Sequence, residues 1–104
     1  MNTTNIENVA HFSGRRVEVR GTGVKCYQLS GRARREARFV AVGGALENPT
    51  TFLCTSVVIG RNGSDSEVFV CTGLRDPDSK DGNVWVRGLD LLRCAEIVSE
   101  KGEK

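Results

Sequence analysis

Arginine is the residue type in this chain best suited to binding chemistry. Residues 1–46 carry eight basic and three acidic side chains, a formal charge of +5, whereas residues 47–104 carry seven basic and ten acidic ones, a charge of −3. Seven of the first eight basic residues are arginine. A guanidinium can pair with a carboxylate or a phosphate through two parallel hydrogen bonds. This charge asymmetry therefore predicts an anionic partner.

Aromatic rings accompany the basic residues, as in small nucleic-acid-binding barrels that stack bases on one or two rings. Tyr27, Phe39 and Trp85 are the candidate rings, although Phe39 is more typical of a core. Three interpretations stay open: a solvated face neutralised by the protein's own acidic half, a phosphate-binding patch, and a patch for an acidic protein surface. The predicted binding residues are Arg16, Arg20, Lys25, Tyr27, Arg32, Arg34, Arg35, Arg38 and Trp85.

Residues suited to catalysis or metal binding are sparse. His11 is the only histidine, and Cys26, Cys54, Cys71 and Cys94 contain no Cys-x-x-Cys pair. We therefore expect no enzyme activity, no metal ion and no cofactor. The cysteines are predicted to be free, small apolar residues in a reducing compartment, with disulfides or a metal site assembled in space as alternatives.

The elements that must position these residues are short strands. Residues 15–20 alternate between apolar and charged side chains, which is typical of a half-buried strand, and the glycines at 21 and 23 predict a hairpin with the next strand. An Asn-Gly turn at Asn62 predicts a second hairpin. The predicted strands are residues 15–20, 24–29, 36–42, 50–59, 67–72, 84–87 and 93–98. The predicted core comprises Val17, Val19, Phe52, Val58, Val70 and Trp85.

The end of the chain has a recognisable order of elements. Residues 84–87 predict a strand, 88–92 one helical turn, and 93–98 a closing strand. This order resembles the end of small SH3-like barrels, over about fifteen residues, and assigns no family. The alternative is a terminal helix over residues 89–99 with one apolar stripe.

The sequence predicts a single domain, residues 1–104, with an N-terminal extension at 1–12 and a solvated tail at 99–104. The expected fold is all-β: a small barrel of about six short strands, SH3-like or OB-like, with one C-terminal helical turn. A capping box at Thr4 predicts a short N-terminal helix, with a disordered tail as the alternative.

The predicted function is non-enzymatic binding, with nucleic-acid phosphates contacted through an arginine-rich face. The alternative is a protein–protein interaction module, a small inhibitor or adaptor of a larger partner, and a homo-oligomer that pairs its opposite charges is a third interpretation. We expect a cytoplasmic location and no membrane partner, because neither a signal-peptide pattern nor a long apolar stretch is present.

Overall fold

Strands dominate the protein. A computed structural model describes residues 4–21, 23–33, 36–47 and 49–99, and their side chains except at positions 4–6, 32, 33 and 99. About 60% of the described residues lie in strands, which confirms the predicted β-rich fold. The elements are α1 (Thr4–Ala10), β1 (Arg16–Val19), β2 (Lys25–Ala33), β3 (Glu36–Ala45), β4 (Thr50–Leu53), β5 (Ser56–Asn62), β6 (Asp65–Arg75), β7 (Asn83–Arg87), α2 (Gly88–Cys94) and β8 (Ala95–Ser99).

The strands form two sheets. One has the order β4-β1-β8, with both neighbours antiparallel to β1. The other has the order β2-β3-β5-β6-β7, and β7 pairs in turn with β2 at Trp85 and Tyr27, so that the pairing order closes on itself. We call this second sheet the five-strand ring. Within it β3 and β5 are parallel and every other pair is antiparallel.

The predicted hairpin between β1 and β2 is wrong. The alternation in β1 is confirmed, because Val17 and Val19 are buried while Arg16 is exposed. However, β1 pairs with β4 and β8, and β2 belongs to the five-strand ring. At the end of β1 the Arg20 amide donates to the Cys94 carbonyl at 2.9 Å, a partner more than 70 positions away. The glycines after β1 therefore mark a change of sheet rather than a tight turn.

The predicted strand over residues 50–59 is two strands in different sheets. β4 pairs with β1, whereas β5 pairs with β3 and β6. At the break between them, the Cys54 amide donates to the Arg15 carbonyl and the Thr55 amide donates to the Cys71 carbonyl, each at 3.0 Å. These two consecutive amides thus donate to carbonyls in two distant parts of the chain. Residue composition does not reveal this switch, because β-forming residues lie on both sides of the break.

The hairpin predicted at the Asn-Gly turn is confirmed. Asn62 pairs with Asp65, so the loop of the β5–β6 hairpin contains two residues, Gly63 and Ser64. Gly63 has φ +66°, a conformation that glycine adopts without a steric penalty. The strands extend closer to the turn than the sequence predicts.

The predicted order of strand, helical turn and closing strand at the end of the chain is confirmed, and the alternative of a terminal helix over residues 89–99 is wrong. Residues Gly88–Cys94 form α2, and Ala95–Ser99 form a strand on the far side of β1. The helix ends at Cys94 because Ala95 is extended, with φ −120° and ψ 152°. No helix in the described part of the chain has the length and apolar character needed to cross a bilayer.

The buried side chains form two clusters on opposite faces of β6. The ring interior holds the cluster of Tyr27, Ala37, Phe39, Phe69, Cys71 and Trp85. The other cluster lies among the three-stranded sheet, the two helices and the outer side of β6 and β7, and includes Val9, Val17, Val19, Phe52, Val70 and Leu91. Because both faces of β6 are covered, residues 68–72 are buried without interruption. Of the six predicted core residues, five are buried and Val58 is partly buried against the ring cluster.

Gly60 is required by close packing in the ring interior. A Cβ atom at this position would lie 2.4 Å from Cε2 of Phe39 and 3.0 Å from the Ala37 carbonyl oxygen. We expect Gly60→Ala to lower the free energy of unfolding by about 1–3 kcal/mol, the usual cost of overpacking a core. Urea unfolding followed by far-UV circular dichroism measures this loss.

The matched control for this prediction is Gly43→Ala. Gly43 is exposed in β3, and a Cβ atom there would meet nothing within 4 Å. We expect a change of no more than about 0.5 kcal/mol. Equal effects at Gly60 and Gly43 would contradict the packing of Phe39 against β5.

Candidate nucleic-acid interface

Two arginines lie side by side on the outside of the five-strand ring. Arg38 of β3 and Arg61 of β5 are partners in the parallel register, and neighbouring strands lie about 4.8 Å apart. Their neighbours Phe39 and Gly60 are buried in the ring, so alternation turns both arginines outward. We call the outer surface of β3 and β5 around Arg38 and Arg61 the arginine face.

The Arg61 guanidinium is held in position by its neighbours. Its Nε donates to Oε1 of Glu36 at 2.5 Å, and its Nη1 donates to the Ser64 carbonyl at 3.1 Å. A guanidinium has five N–H donors, so three remain for a ligand. The side chain is therefore pre-organised, and less conformational entropy is lost on binding than for a freely moving arginine.

Arg38 is exposed on β3. Among the described residues, no carboxylate oxygen lies within 4.0 Å of its guanidinium. Its backbone is fixed by the Ser30 hydroxyl, which donates to the Arg38 carbonyl at 3.2 Å. The Arg38 side chain is thus an unneutralised cation on a rigid strand.

Arg16 and Arg20 belong to the other sheet. Arg16 is exposed on β1, and Arg20, just after it, pairs through Nη2 with Oε1 of Glu18 at 2.9 Å. This pairing raises the pKa of Arg20, first by the hydrogen bond to Glu18 and then by the charges of Glu18 and Glu96. Because the β1–β2 hairpin is absent, the pairings do not bring Arg16 and Arg20 onto the arginine face.

Two further predicted cations, Lys25 and Arg32, lie near the two ends of β2. Lys25 is exposed at the start of the strand, opposite Ala45 of β3. Arg32 lies near the end of β2, where its backbone pairs with Ala37. Arg34 and Arg35 lie outside the described residues. The sequence places this arginine run, residues 32–35, directly before the strand that carries Arg38.

Tyr27 and Trp85 are buried, with exposed fractions of 5% and 7%. The Tyr27 ring packs edge-on against Phe69 with centroids 5.3 Å apart, and the Trp85 ring lies 4.9 Å from Phe39. A base can stack only on an exposed ring face, so the structure does not support the predicted stacking role of Tyr27 and Trp85. Both aromatic side chains pack inside the five-strand ring instead.

The Trp85 indole is hydrogen-bonded to the loop between β6 and β7, residues 76–82. Its Nε1 donates to Oδ2 of Asp81 at 2.8 Å, while Oδ1 accepts from the Asn83 amide and the Ser79 hydroxyl, each at 3.2 Å. Burial by itself would raise the pKa of Asp81, but these hydrogen bonds outweigh it and lower the pKa below its ordinary value. Asp81 is therefore ionised at neutral pH and committed to holding the loop.

The four cysteines are free thiols in the structure. Cys54 and Cys71 are buried, and Cys26 and Cys94 are partly exposed. Burial, with a smaller contribution from Cys71, raises the pKa of the Cys54 thiol to about 12, so it is neutral and unreactive at physiological pH. In the described ranges, no three His, Cys, Asp or Glu side chains come close enough to hold a metal ion.

Sequence reasoning missed Arg61. It stands just before the Asn-Gly turn, in a segment with no excess of positive charge. Only the parallel pairing of β3 with β5 brings it beside Arg38. A parallel pair needs a long crossover, here through β4 in the other sheet, and leaves no local sequence signal.

No protein-family model, no curated protein and no solved structure matches this chain.

Proposed function

We propose that this protein is a non-enzymatic binding domain that contacts nucleic-acid phosphates through its arginine face. The observation that carries this proposal is the adjacency of Arg38 and Arg61 on the outside of the ring. Arginine forks match the geometry of phosphate oxygens, and phosphate contacts dominate affinity for nucleic acid. In the sequence, the arginine run at residues 32–35 directly precedes the strand that carries Arg38.

Ion pairing leaves part of the positive charge of the arginine face available to a ligand. Arg20, Arg87 and Arg93 pair with Glu18, Glu67 and Asp90 at 2.6–2.9 Å. Arg38 has no such partner among the described residues, and Arg61 uses only part of its donor set. On the arginine face, Glu36 pairs with Arg61, and the charge of Arg38 remains without a carboxylate partner among the described residues.

We further propose that the five-strand ring acts as a small closed barrel that makes this face rigid. Closure rests on the contact of β7 with β2 at Trp85 and Tyr27. The ring follows the order of the chain apart from the excursion through β4, whereas an OB-fold barrel is a Greek key. We therefore propose a barrel without proposing an SH3 or OB relationship. We also propose a cytoplasmic location, because a reducing compartment keeps thiols free.

A second candidate function is a protein–protein interaction module. Val40 and Ile59 are 45% and 46% exposed, and each lies two residues from one of the face arginines. Exposed aliphatic side chains beside arginine resemble the core of a protein interface, which is enriched in arginine and depleted in other charges. An acidic protein surface would fit this composition.

Replacing one face arginine tests the first candidate. We expect Arg38→Gln to weaken binding to duplex DNA uniformly across sequences and to flatten the slope of log affinity against log salt by about 0.9. At about 0.1 M salt this corresponds to a loss of about eightfold in affinity. Fluorescence anisotropy with a labelled duplex over a range of salt concentrations measures both quantities.

The matched control is Arg75→Gln, which removes one positive charge from the last residue of β6. Arg75 is exposed, pairs with Asn83 of β7, and lies on neither β3 nor β5. We expect its salt slope to equal that of the unmodified protein. Equal losses in the two variants would show that total charge rather than the arginine face determines binding, and would contradict the proposal.

A further inference from the structure

Every phenylalanine, tyrosine and tryptophan side chain of the protein is buried. All six lie within the described residues, and the most exposed is Trp85 at 7%. They are Phe12, Tyr27, Phe39, Phe52, Phe69 and Trp85. The protein therefore presents no such ring on its surface.

Proteins that bind single-stranded nucleic acid normally do so in part through exposed aromatic side chains. Stacking of a base on an exposed aromatic side chain raises affinity by about 5- to 150-fold for each base. Without it, a single strand offers a protein only its phosphates, and its charge density is lower than that of a duplex. The surface of this protein lacks the feature that would compensate for that lower density.

The rings cannot turn outward without opening the core. Phe69 is stacked on Phe39 with centroids 4.1 Å apart and meets Tyr27 edge-on at 5.3 Å. Trp85 is held at its Nε1 by Asp81. Exposure of the Tyr27 or Trp85 side chain would break the contact between β2 and β7 that closes the five-strand ring.

His11 and Arg61 are two further planar side chains, and both have neighbours. His11 is exposed, but it follows α1 and its Nε2 lies 3.2 Å from Nη1 of Arg15. Arg61 is fixed by Glu36 and by the Ser64 carbonyl. The face therefore offers guanidinium N–H donors, with that of Arg61 held in place, and no aromatic ring for a base.

We infer, on the basis of the proposed function, that the ligand of the arginine face is double-stranded nucleic acid, bound through its phosphates and without base stacking. In a duplex the bases already stack on one another, and both strands present phosphates outward. A rigid surface with outward arginines and buried rings matches that arrangement. Recognition is expected to be independent of sequence.

The experiment compares a duplex DNA and an oligothymidylate of the same length with the unmodified protein. For about four phosphate contacts at about 50 mM salt, the greater counterion release from a duplex predicts about tenfold tighter binding. Anisotropy of a labelled oligonucleotide gives the two affinities. Trp85 is the only tryptophan, so its intrinsic fluorescence reports stacking directly, and we expect no quenching with either ligand.

The outcomes separate this inference from the proposed function. Equal or tighter binding of oligothymidylate, or quenching of Trp85 on binding, would overturn the duplex inference while leaving phosphate binding intact. Failure to bind either ligand at low salt would overturn the proposed function itself. Duplex preference with unchanged tryptophan fluorescence would support both.

Discussion

Phe69→Ala is expected to lower the free energy of unfolding by about 3–5 kcal/mol, a large part of the total for a domain of this size. Phe69 is fully buried on β6 and packs against Phe39 and Tyr27 in the ring interior. Its removal loses the transfer free energy of the ring and leaves a cavity in a tightly packed cluster. Aromatic pairing adds about 0.5–1.5 kcal/mol beyond the buried area. Urea unfolding by circular dichroism gives the difference.

Ile59→Ala is the control for this substitution. Ile59 is on the neighbouring strand β5, and its side chain is 46% exposed on the outside of the ring. We expect a change of about 1 kcal/mol or less. If Phe69→Ala and Ile59→Ala cost the same, the assignment of the inner and outer faces of the ring is wrong.

Replacement of the whole arginine run is expected to have the largest effect on binding. The triple variant of Arg32, Arg34 and Arg35 to alanine should flatten the salt slope on duplex DNA by about 2.7, if each side chain contacts one phosphate. Affinity at about 0.1 M salt would then fall by two to three orders of magnitude, to about 1/500 of its original value. Because backbone contacts carry no sequence information, the loss should be the same for unrelated duplexes.

A second triple variant controls for total charge. Replacing Arg16, Arg75 and Lys80 by alanine removes an equal number of positive charges from exposed positions outside β2 and β3. We expect a slope close to that of the unmodified protein. Unfolding curves for both variants ensure that lost affinity does not reflect lost structure. A comparable loss from both triple variants would refute a localised binding surface.

Local patterns predicted much of the secondary structure but little of the pairing. The alternation around Val17 and the Asn-Gly turn at Asn62 act over a few residues, and both predictions hold. The pairing of β1 with β4 and β8 depends instead on which buried surfaces fit together across the whole chain. The break between β4 and β5 at Cys54 also depends on long-range contacts, because the carbonyls that accept from Cys54 and Thr55 are distant in the sequence.

The candidate site shows the same division. Arginine enrichment before Arg38 is visible in the sequence, but its neighbour Arg61 is supplied by a long-range parallel pairing. Aromatic content suggested stacking, whereas Tyr27 and Trp85 serve the ring interior. With so few large side chains available, a small β protein uses them first to fill its core. An aromatic residue near basic ones is therefore weak support for a stacking surface in a chain of this size.

A salt titration of the unmodified protein against duplex DNA tests phosphate binding most directly. Binding should be measurable at low salt, and log affinity should fall linearly with log salt, with a slope of about −4 for four to five contacting arginines. A flat titration with both duplex and single-stranded nucleic acid at low salt would contradict phosphate binding and favour the protein-interaction module. Binding that does not weaken as salt rises would equally contradict an electrostatic arginine face.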